Sequence, residues 1–575
     1  MSNHFSESML GELIMEENRF LKSLAHPIPE KANNYMLSTY SIILEAWRRG
    51  LSISFKIIKE ASGTIEPYYT ISDDEKTHHF SATRGDLVSV QTKDLTKNKL
   101  TTKEILEKNN VPTPSGKDFD AEVSDSEIIK YAAEIQYPVV IKPLAGTGGK
   151  GVIAGIENEE ELIEALTYVR VKLKYPHVIL EKYFAGEDYR LYVLDGKVIG
   201  ALKRVKANVI GDGESTVRQL INQKNIERAK LPSLTNRKIK IDDELKNMLR
   251  REGYNLNSVI PDGELVYIKS KNNVSAGGDS IEVTDGLSDN IKKIAIDAVN
   301  SFDDLPQCGV DMMVDEENDT GVIIELNTRA HITQHLFPMK GQAKDVPSDL
   351  IDFYFPQTVD YNRENAQKFY LDFDFIFNAC MNGNANEIVI PLLPSRALKL
   401  TRYVISGCDY TQAFAERIQR LAYYSRVNGY IKSLNNGEIS IIVGSSQKRI
   451  NDFQTRLERY SNRVSKNAKI VEKKRSSPIM HGFHIEVLNE KMDNNSKENA
   501  PEKTALNKYI KDYAKLKSDY QNAVNRLAIY ERDERTLELT QRQNKQLKKR
   551  LQQMEESNSW KMTKPIRAFT EKLKK

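Results

Sequence analysis

A glycine-rich segment restricts the fold of this chain more than any other feature. It reads VVIKPLAGTGGKGV, from Val139 to Val152. On letters alone, Gly146, Gly148 and Gly151 satisfy G-x-G-x-x-G, the fingerprint of a dinucleotide-binding fold. That fingerprint needs a helix opening directly from the glycines, so that its N-terminus faces a pyrophosphate. Here VIAGI, 152–156, reads as a second strand, and the next helix waits for Asn158 to cap EEELIEALTYV. A Walker phosphate loop fails too, because Gly151 follows Lys150 where Ser or Thr is required. The segment is therefore expected to be a hairpin flap whose backbone N–H groups fold over phosphates. An ordinary hairpin turn has little need of four glycines and one lysine in six residues.

Helix and strand signals alternate around it. YMLSTYSIILEAWRRGL has helical apolar spacing, and SISFKII alternates like a strand. KNKLTTKEILEKNNVPTP predicts a helix ended by Pro112 and Pro114, and AEVSDSEIIKYAAEI predicts another. Val178–Arg204 reads as a strand, a short linker and a strand hairpin. Cys308–Pro338 begins with two strands ending in acidic groups. Asp311 lies on the first; Glu325 and Asn327, two apart on the second, share a face. Three oxygen ligands on one face suit Mg²⁺, a hard cation that also takes substrate phosphates. Alone the pattern is weak, since acids at strand ends are common; with the flap and a distant lysine it becomes specific.

These segments together resemble the ATP-grasp superfamily, from about Asn98 to Pro356. Within it they are most similar to the ligase domain of cyanophycin synthetase and of the bifunctional glutathione synthetases. The phrases that carry the likeness are NKLTTKEILEKNNVPTP, VIKPLAGTGGKGV, ILEKYFAGEDYRLYVLDGKVIGALKR, ANVIGDGESTVRQLI, NNVSAGGDSIEVTD and HLFPMKGQAKDVPSDLIDFYFP. The resemblance implies that Lys99 and Lys142 contact ATP phosphates. It makes Gly146, Gly148, Gly149, Lys150 and Gly151 the flap. Glu181, Lys182 and Phe184 fall in the adenine hinge, and Glu187 at the ribose. Arg190 and Arg204 would stabilise phosphoryl oxygens, and Asp311, Glu325 and Asn327 would hold magnesium, two ions in the family pattern, with manganese as a substitute. Asn273, Ser275, Gly277 and Gly278 match a segment beside the reacting acyl group. The implied reaction is an ATP-dependent carboxylate–amine ligation through an acylphosphate. TRAHITQHLFP after Asn327 departs from the family, which makes Arg329, His331 and His335 candidates for a different substrate pocket. His331 and His335 have the i,i+4 spacing of a zinc pair, but no third ligand is close in sequence.

From Ala397 to about Leu488 the order is strand, helix, strand, strand, helix, strand, the split βαβ or ferredoxin-like arrangement. YVISGCDYTQAFAERIQRLA and VNGYIKSLNNGEISIIVG resemble acylphosphatase. The positions of that family's catalytic arginine and asparagine fall on Ala415 and Ser433, so hydrolysis, including editing of an acylphosphate, is expected to be lost. Residues 489–503 read as a polar linker. Leu506, Tyr513, Tyr520 and Leu527 alternate with Tyr509, Leu516, Ala523 and Tyr530 in a heptad seam, which predicts a homodimeric coiled coil over 504–556. The basic end, 557–575, carries Trp560, Ile566, Phe569 and Leu573 and could lie on an anionic membrane surface.

The expected architecture is thus α+β and multidomain: an N-terminal α/β region (1–97), the ATP-grasp fold (98–356), a connector (357–396), a ferredoxin-like, acylphosphatase-like βαββαβ domain (397–488), and the linker, coiled coil and tail. Charge agrees with this division. Residues 496–575 hold 20 Lys and Arg against 11 Asp and Glu, leaving 64 against 69 in the remainder. A mildly acidic body argues against a nucleic-acid-binding core. No apolar run approaches the ~18 residues of a membrane span, and the start lacks a basic stretch followed by an apolar one, so a cytoplasmic protein is expected. Cys308, Cys380 and Cys408 are too scattered for a disulfide framework or metal knuckle. Against the ligase stand two alternatives: a nucleotide-binding scaffold with a dead acylphosphatase module, and phosphotransfer or acylphosphatase activity without amide formation.

Overall fold

The computed structural model describes residues 19–59, 64–144, 150–393 and 398–486. The flap glycines Gly146, Gly148 and Gly149, the linker, the heptads and the basic tail lie outside the described residues.

Helix Met36–Arg48 is buried on every side from Leu37 onward, its polar Ser41, Glu45 and Arg48 held by hydrogen bonds. It packs beneath an antiparallel sheet of Ser52–Lys59, Ile65–Ser72, Thr77–Ser81 and Arg84–Gly85. The segment expected as a connector is built into this region. Ile388–Ile390 pairs antiparallel with Ile53–Phe55 and forms the sheet edge. The Trp47 indole donates to the Pro391 carbonyl at 2.8 Å, and the buried Arg48 guanidinium donates to the carbonyls of Phe369 and Ser23.

The next lobe is a four-stranded antiparallel sheet in the order Gly116–Phe119, Val178–Lys182, Val139–Pro143, Ile153–Ile156. The strands either side of the glycine segment pair antiparallel, Val139 opposite Ile156 and Ile141 opposite Ile153. The helix after them opens at Glu159, with Asn158 accepting from the Glu161 N–H. The dinucleotide alternative therefore fails on topology, as its context implied.

A larger antiparallel sheet follows, in the order Asp279–Glu282, Lys197–Val205, Glu187–Leu194, Gln307–Asp315, Thr320–Asn327. Helix Asp289–Asn300 covers one face. Tyr189, Leu191, Val193, Val310, Met312 and Val314 point to it and are buried there. By the period of two, Asp188, Arg190 and Asp311 take the opposite face. Between Asp279–Glu282 and the sheet's second strand, in chain order, lies an excursion with its own core. It holds helices Val217–Lys230 and Asp243–Arg251 and a two-stranded ribbon, Asn208–Ile210 with Leu265–Tyr267.

In residues 398–486 the strands are Leu398–Ser406, Asn428–Ser433, Ile439–Ser446 and Lys469–Lys474. Their spatial order is fourth, first, third, second, all antiparallel. Helices Gln412–Ser425 and Gln447–Val464 bury Phe414, Ile418, Phe453 and Leu457 against the sheet. Phe483–Ile485 adds a parallel strand beside Asn428–Ser433, and Ile479–Met480 pairs with Phe369–Tyr370. Cys308, Cys380 and Cys408 are all unpaired. Among the described residues no helix is long and apolar enough to cross a membrane.

Candidate functional site

Strand register builds the centre of the site. Leu202, Arg190, Asp311 and Glu325 are direct neighbours across four strands. A bulge between Asp311 and Met312 matters here. It sets Met312 opposite Ile323 and Asp311 opposite Glu325, so Ile324 is the extra residue. Without it, Ile323 and Glu325 would share a face; with it, Ile323 enters the core while Glu325 is exposed. Arg190 grips Asp311 with two bonds, Nε to Oδ1 and Nη2 to Oδ2, each 2.6 Å. Arg204 bonds Asp188 across the strands and reaches Asp311 at 3.4 Å. Burial opposes ionisation of Asp311, but Arg190 and then Arg204 outweigh it and hold the carboxyl below its ordinary value.

Each lobe contributes one of the predicted lysines. Lys142 Nζ pairs with the buried Glu181 at 2.6 Å. Lys99, on the first turn of helix Lys99–Lys108 behind its Asn98 cap, belongs to the helix packed on the larger sheet and has neither hydrogen bond nor ion pair among the described residues. Burial lowers its pKa, and the charges acting on it are Glu325, Lys142 and Glu181. Lys99 thus feels both the predicted metal acid, Glu325, and Lys142 of the smaller lobe. Lys182 is turned elsewhere: its Nζ donates to the carbonyls of Gln136 and Tyr137, both at 3.0 Å. Its side chain ties the lobe together, leaving only its backbone for the hinge. Phe184 is half-buried, and Glu187 is exposed with Lys203 3.9 Å away. Lys150 is exposed, above the Tyr175 ring.

The 3₁₀ turn Val274–Ala276 holds Asn273 and Ser275 together, the Ser275 hydroxyl donating to Asn273 Oδ1 at 2.6 Å. Gly278 is hemmed by three carbonyls, of Val205, Asn272 and Asn273, and a Cβ there would approach Val205 O to 2.7 Å. Past the acids, Arg329 pairs with Glu66 of the N-terminal sheet and bonds Ser81 Oγ at 3.3 Å. His335 takes no part in a pocket. It is fully buried, its Nδ1 2.8 Å from Glu282. His331 stacks on Tyr35 with ring centroids 4.4 Å apart. Burial, then Arg190, Arg329 and Arg237, lower its pKa to about 4. The two histidines are not a zinc pair: a short helix, Thr333–Leu336, turns His335 into the core, and no group of three potential ligands occurs among the described residues.

Magnesium fits the donors present. Asp311 and Glu325 offer carboxylate oxygens from adjacent strands, Asn327 lies within 3.3 Å of Asp311, and Glu325 has no hydrogen bond or ion pair among the described residues. Two acids and an amide leave room for waters and phosphate oxygens, as Mg²⁺ prefers. Sequence reasoning missed Asp188, which orients Arg204; Asn272, which bonds Asp188; and Lys103, 3.8 Å from Glu181. Asp188 could have been found from the period of two, since it precedes Arg190 by two residues on one strand. The others had no such signal.

Comparison with known proteins points to related chains. Residues 121–266 match the family model for the prokaryotic glutathione synthetase ATP-grasp domain. The chain is 33% identical over 332 residues to a glutathione biosynthesis bifunctional protein of Clostridium perfringens, covering 56% of this chain and 41% of that protein. It is 32% identical over 263 residues to a cyanophycin synthetase of Synechocystis, covering 44% and 30%. The chain thus spans less than half the length of the curated relatives it matches. Among solved structures, a bifunctional glutathione synthetase from Pasteurella multocida aligns with TM-score 0.41 and 25% identity, over 50% of this chain and 41% of that one.

Proposed function

We propose that this chain, which carries an ATP-grasp domain of the glutathione synthetase family, is an ATP-dependent carboxylate–amine ligase. The observation that carries the reading is the cross-strand row Arg190–Asp311–Glu325, with Glu325 acting on Lys99 and Lys99 in turn within the field of Lys142 from the smaller lobe. A scaffold has no use for a carboxylate that has no hydrogen bond or ion pair among the described residues and stands near Lys99 and Arg190.

In this reading Lys99, Lys142 and the flap from Gly146 to Gly151 hold the ATP phosphates. The backbone of Glu181, Lys182 and Phe184 receives adenine, and Glu187 the ribose. Asp311, Glu325 and Asn327 would hold magnesium, which when bound neutralises charge on the phosphates. A substrate carboxylate oxygen attacks the γ-phosphorus as the bond to the β,γ-bridging oxygen breaks and ADP leaves. Arg190 and Arg204 offset charge on the transferring group. The amine nitrogen then attacks the acyl carbon near Asn273 and Ser275, loses a proton, and phosphate departs, leaving an amide. Arg329 belongs to the substrate side.

The fold of residues 398–486 supports a ferredoxin-like module used for packing. Ala415, at the arginine position, is fully buried, and the Ser433 hydroxyl reaches only the neighbouring Leu434 carbonyl at 3.5 Å. The heptads of 504–556 support a homodimer and the basic end an anionic surface, on sequence grounds alone.

The test is ADP release with magnesium against panels of amino acids, amino sugars and dipeptides, with Glu325→Ala as control. An amide product lighter by one water than its two parts is expected by mass spectrometry. A phosphorylated product would select phosphotransfer, and no substrate-dependent ADP release would return the scaffold.

A further inference from the structure

Two arginines about 245 residues apart in sequence meet beside the site. Ser81–Arg84 makes a tight turn between two strands of the N-terminal sheet, with Ala82 at φ 53°. The buried Thr83 hydroxyl donates to the Ala330 carbonyl at 2.8 Å, and Gln307 donates to the Thr83 carbonyl at 2.5 Å. Those bonds dock the turn onto the backbone that follows Asn327, and set Arg84 next to Arg329. Arg329 has a partner in Glu66. Arg84 is half-buried and has no hydrogen bond or ion pair among the described residues; Arg329 is the largest charge acting against it, with Tyr68, Glu66 and Asp94 on the other side.

Holding two guanidiniums together around one carboxylate is unfavourable unless something anionic completes the set. Guanidinium is also the group best shaped to take a carboxylate or phosphate with two parallel bonds. The positive field does not stop at the pair. His331, two residues beyond Arg329, feels Arg190, Arg329 and Arg237 together. A field of one sign raises the local concentration of anions.

We propose that Arg84 and Arg329 bind an anionic group of the substrate, a carboxylate or a phosphate, that does not itself react. This rests on the ligase reading for its substrate and deepens it: one of the two reactants carries a second negative charge. Neutral amines and simple monoacids lacking such a group would bind weakly.

The test uses the full chain with magnesium and ADP, titrated calorimetrically with malonate and with inorganic phosphate. The wild type binds, and Arg84→Gln weakens the tighter of the two about 10- to 100-fold, the usual worth of a charge-assisted pair, with Arg84→Lys between. Whichever anion binds more tightly names the group. Arg84 has no partner to strand, so the variant keeps the wild-type melting temperature. In the ADP-release assay, productive substrates offered as free acids and as amides should differ, and Arg84→Gln should raise KM for the acid while the loss in kcat stays small. Equal anion affinity in wild type and Arg84→Gln, or amides turned over as well as acids, overturns the proposal. If no substrate releases ADP yet malonate or phosphate binds through Arg84, the ligase reading fails and the anion site stands. If turnover occurs with every KM unchanged by Arg84→Gln, the reverse holds.

Discussion

Removing Arg190 and Asp311 together should cost less than the sum of the two single losses. Their side chains are 24% and 11% exposed and share two bonds of 2.6 Å. Breaking a fully buried ion pair by deleting one member costs about 3–5 kcal/mol, because the other charge is stranded. Here Arg204 at 3.4 Å and the Asn327 amide at 3.3 Å soften the loss of Arg190. The expected destabilisation for Arg190→Met is therefore the lower figure, about 2–3 kcal/mol. For a domain of this size that is a fall of about 4–12 °C in melting temperature. Asp311→Leu strands Arg190 instead, with Asp188 and Glu325 as its remaining acids, and should cost a similar amount. The double variant leaves neither charge without its partner, so its loss should be smaller than the sum by about 2 kcal/mol. Differential scanning calorimetry in EDTA without nucleotide keeps metal and substrate out of the comparison. Additive losses would refute the reasoning, since they would mean that the two side chains stabilise the sheet independently.

Three further outcomes follow from single sites. Glu325→Gln, at an exposed residue with no protein partner, should leave the melting temperature within about 2 °C while ADP release falls at least about 100-fold; a large loss of stability would reveal a structural role instead. His26, held near pKa 3 by burial and then by Arg48, binds fewer protons folded than unfolded. Its contribution to stability is complete above the unfolded value of about 6.5 and is lost as pH falls toward 3. His26→Gln should therefore flatten the decline in melting temperature between pH 7 and 4, and an unchanged decline would exclude His26 as its source. The full chain should not hydrolyse benzoyl phosphate above the buffer rate, because Ala415 and Ser433 supply neither a phosphate cradle nor a water-orienting amide; measurable hydrolysis abolished by substitutions in 398–486 would contradict this.

Local chemistry made much of the protein legible in its sequence. Asn158 and Ser124 cap their helices because their side-chain oxygens reach backbone N–H groups three residues on. The delay of the helix to Glu159 was enough to exclude a dinucleotide loop. Glu325-x-Asn327 shares a face because strands repeat every two residues. Those rules act within a few residues, so the order of letters suffices. Three features needed the tertiary structure. The bulge opposite Asp311 decides which strand-end residues face the metal side, and it arises from pairing between strands. Residues 388–390 look like connector but complete the N-terminal sheet, because its edge needs backbone partners that no nearby segment provides. Arg84 stands beside Arg329 only because Thr83 bonds Ala330 across 247 residues. The sequence alone thus determined which lysines, acids and glycine segment this chain carries and in what local spacing; only folding, through contacts between segments far apart, decided which charges meet, as Arg190 does Asp311 and Arg329 does Glu66.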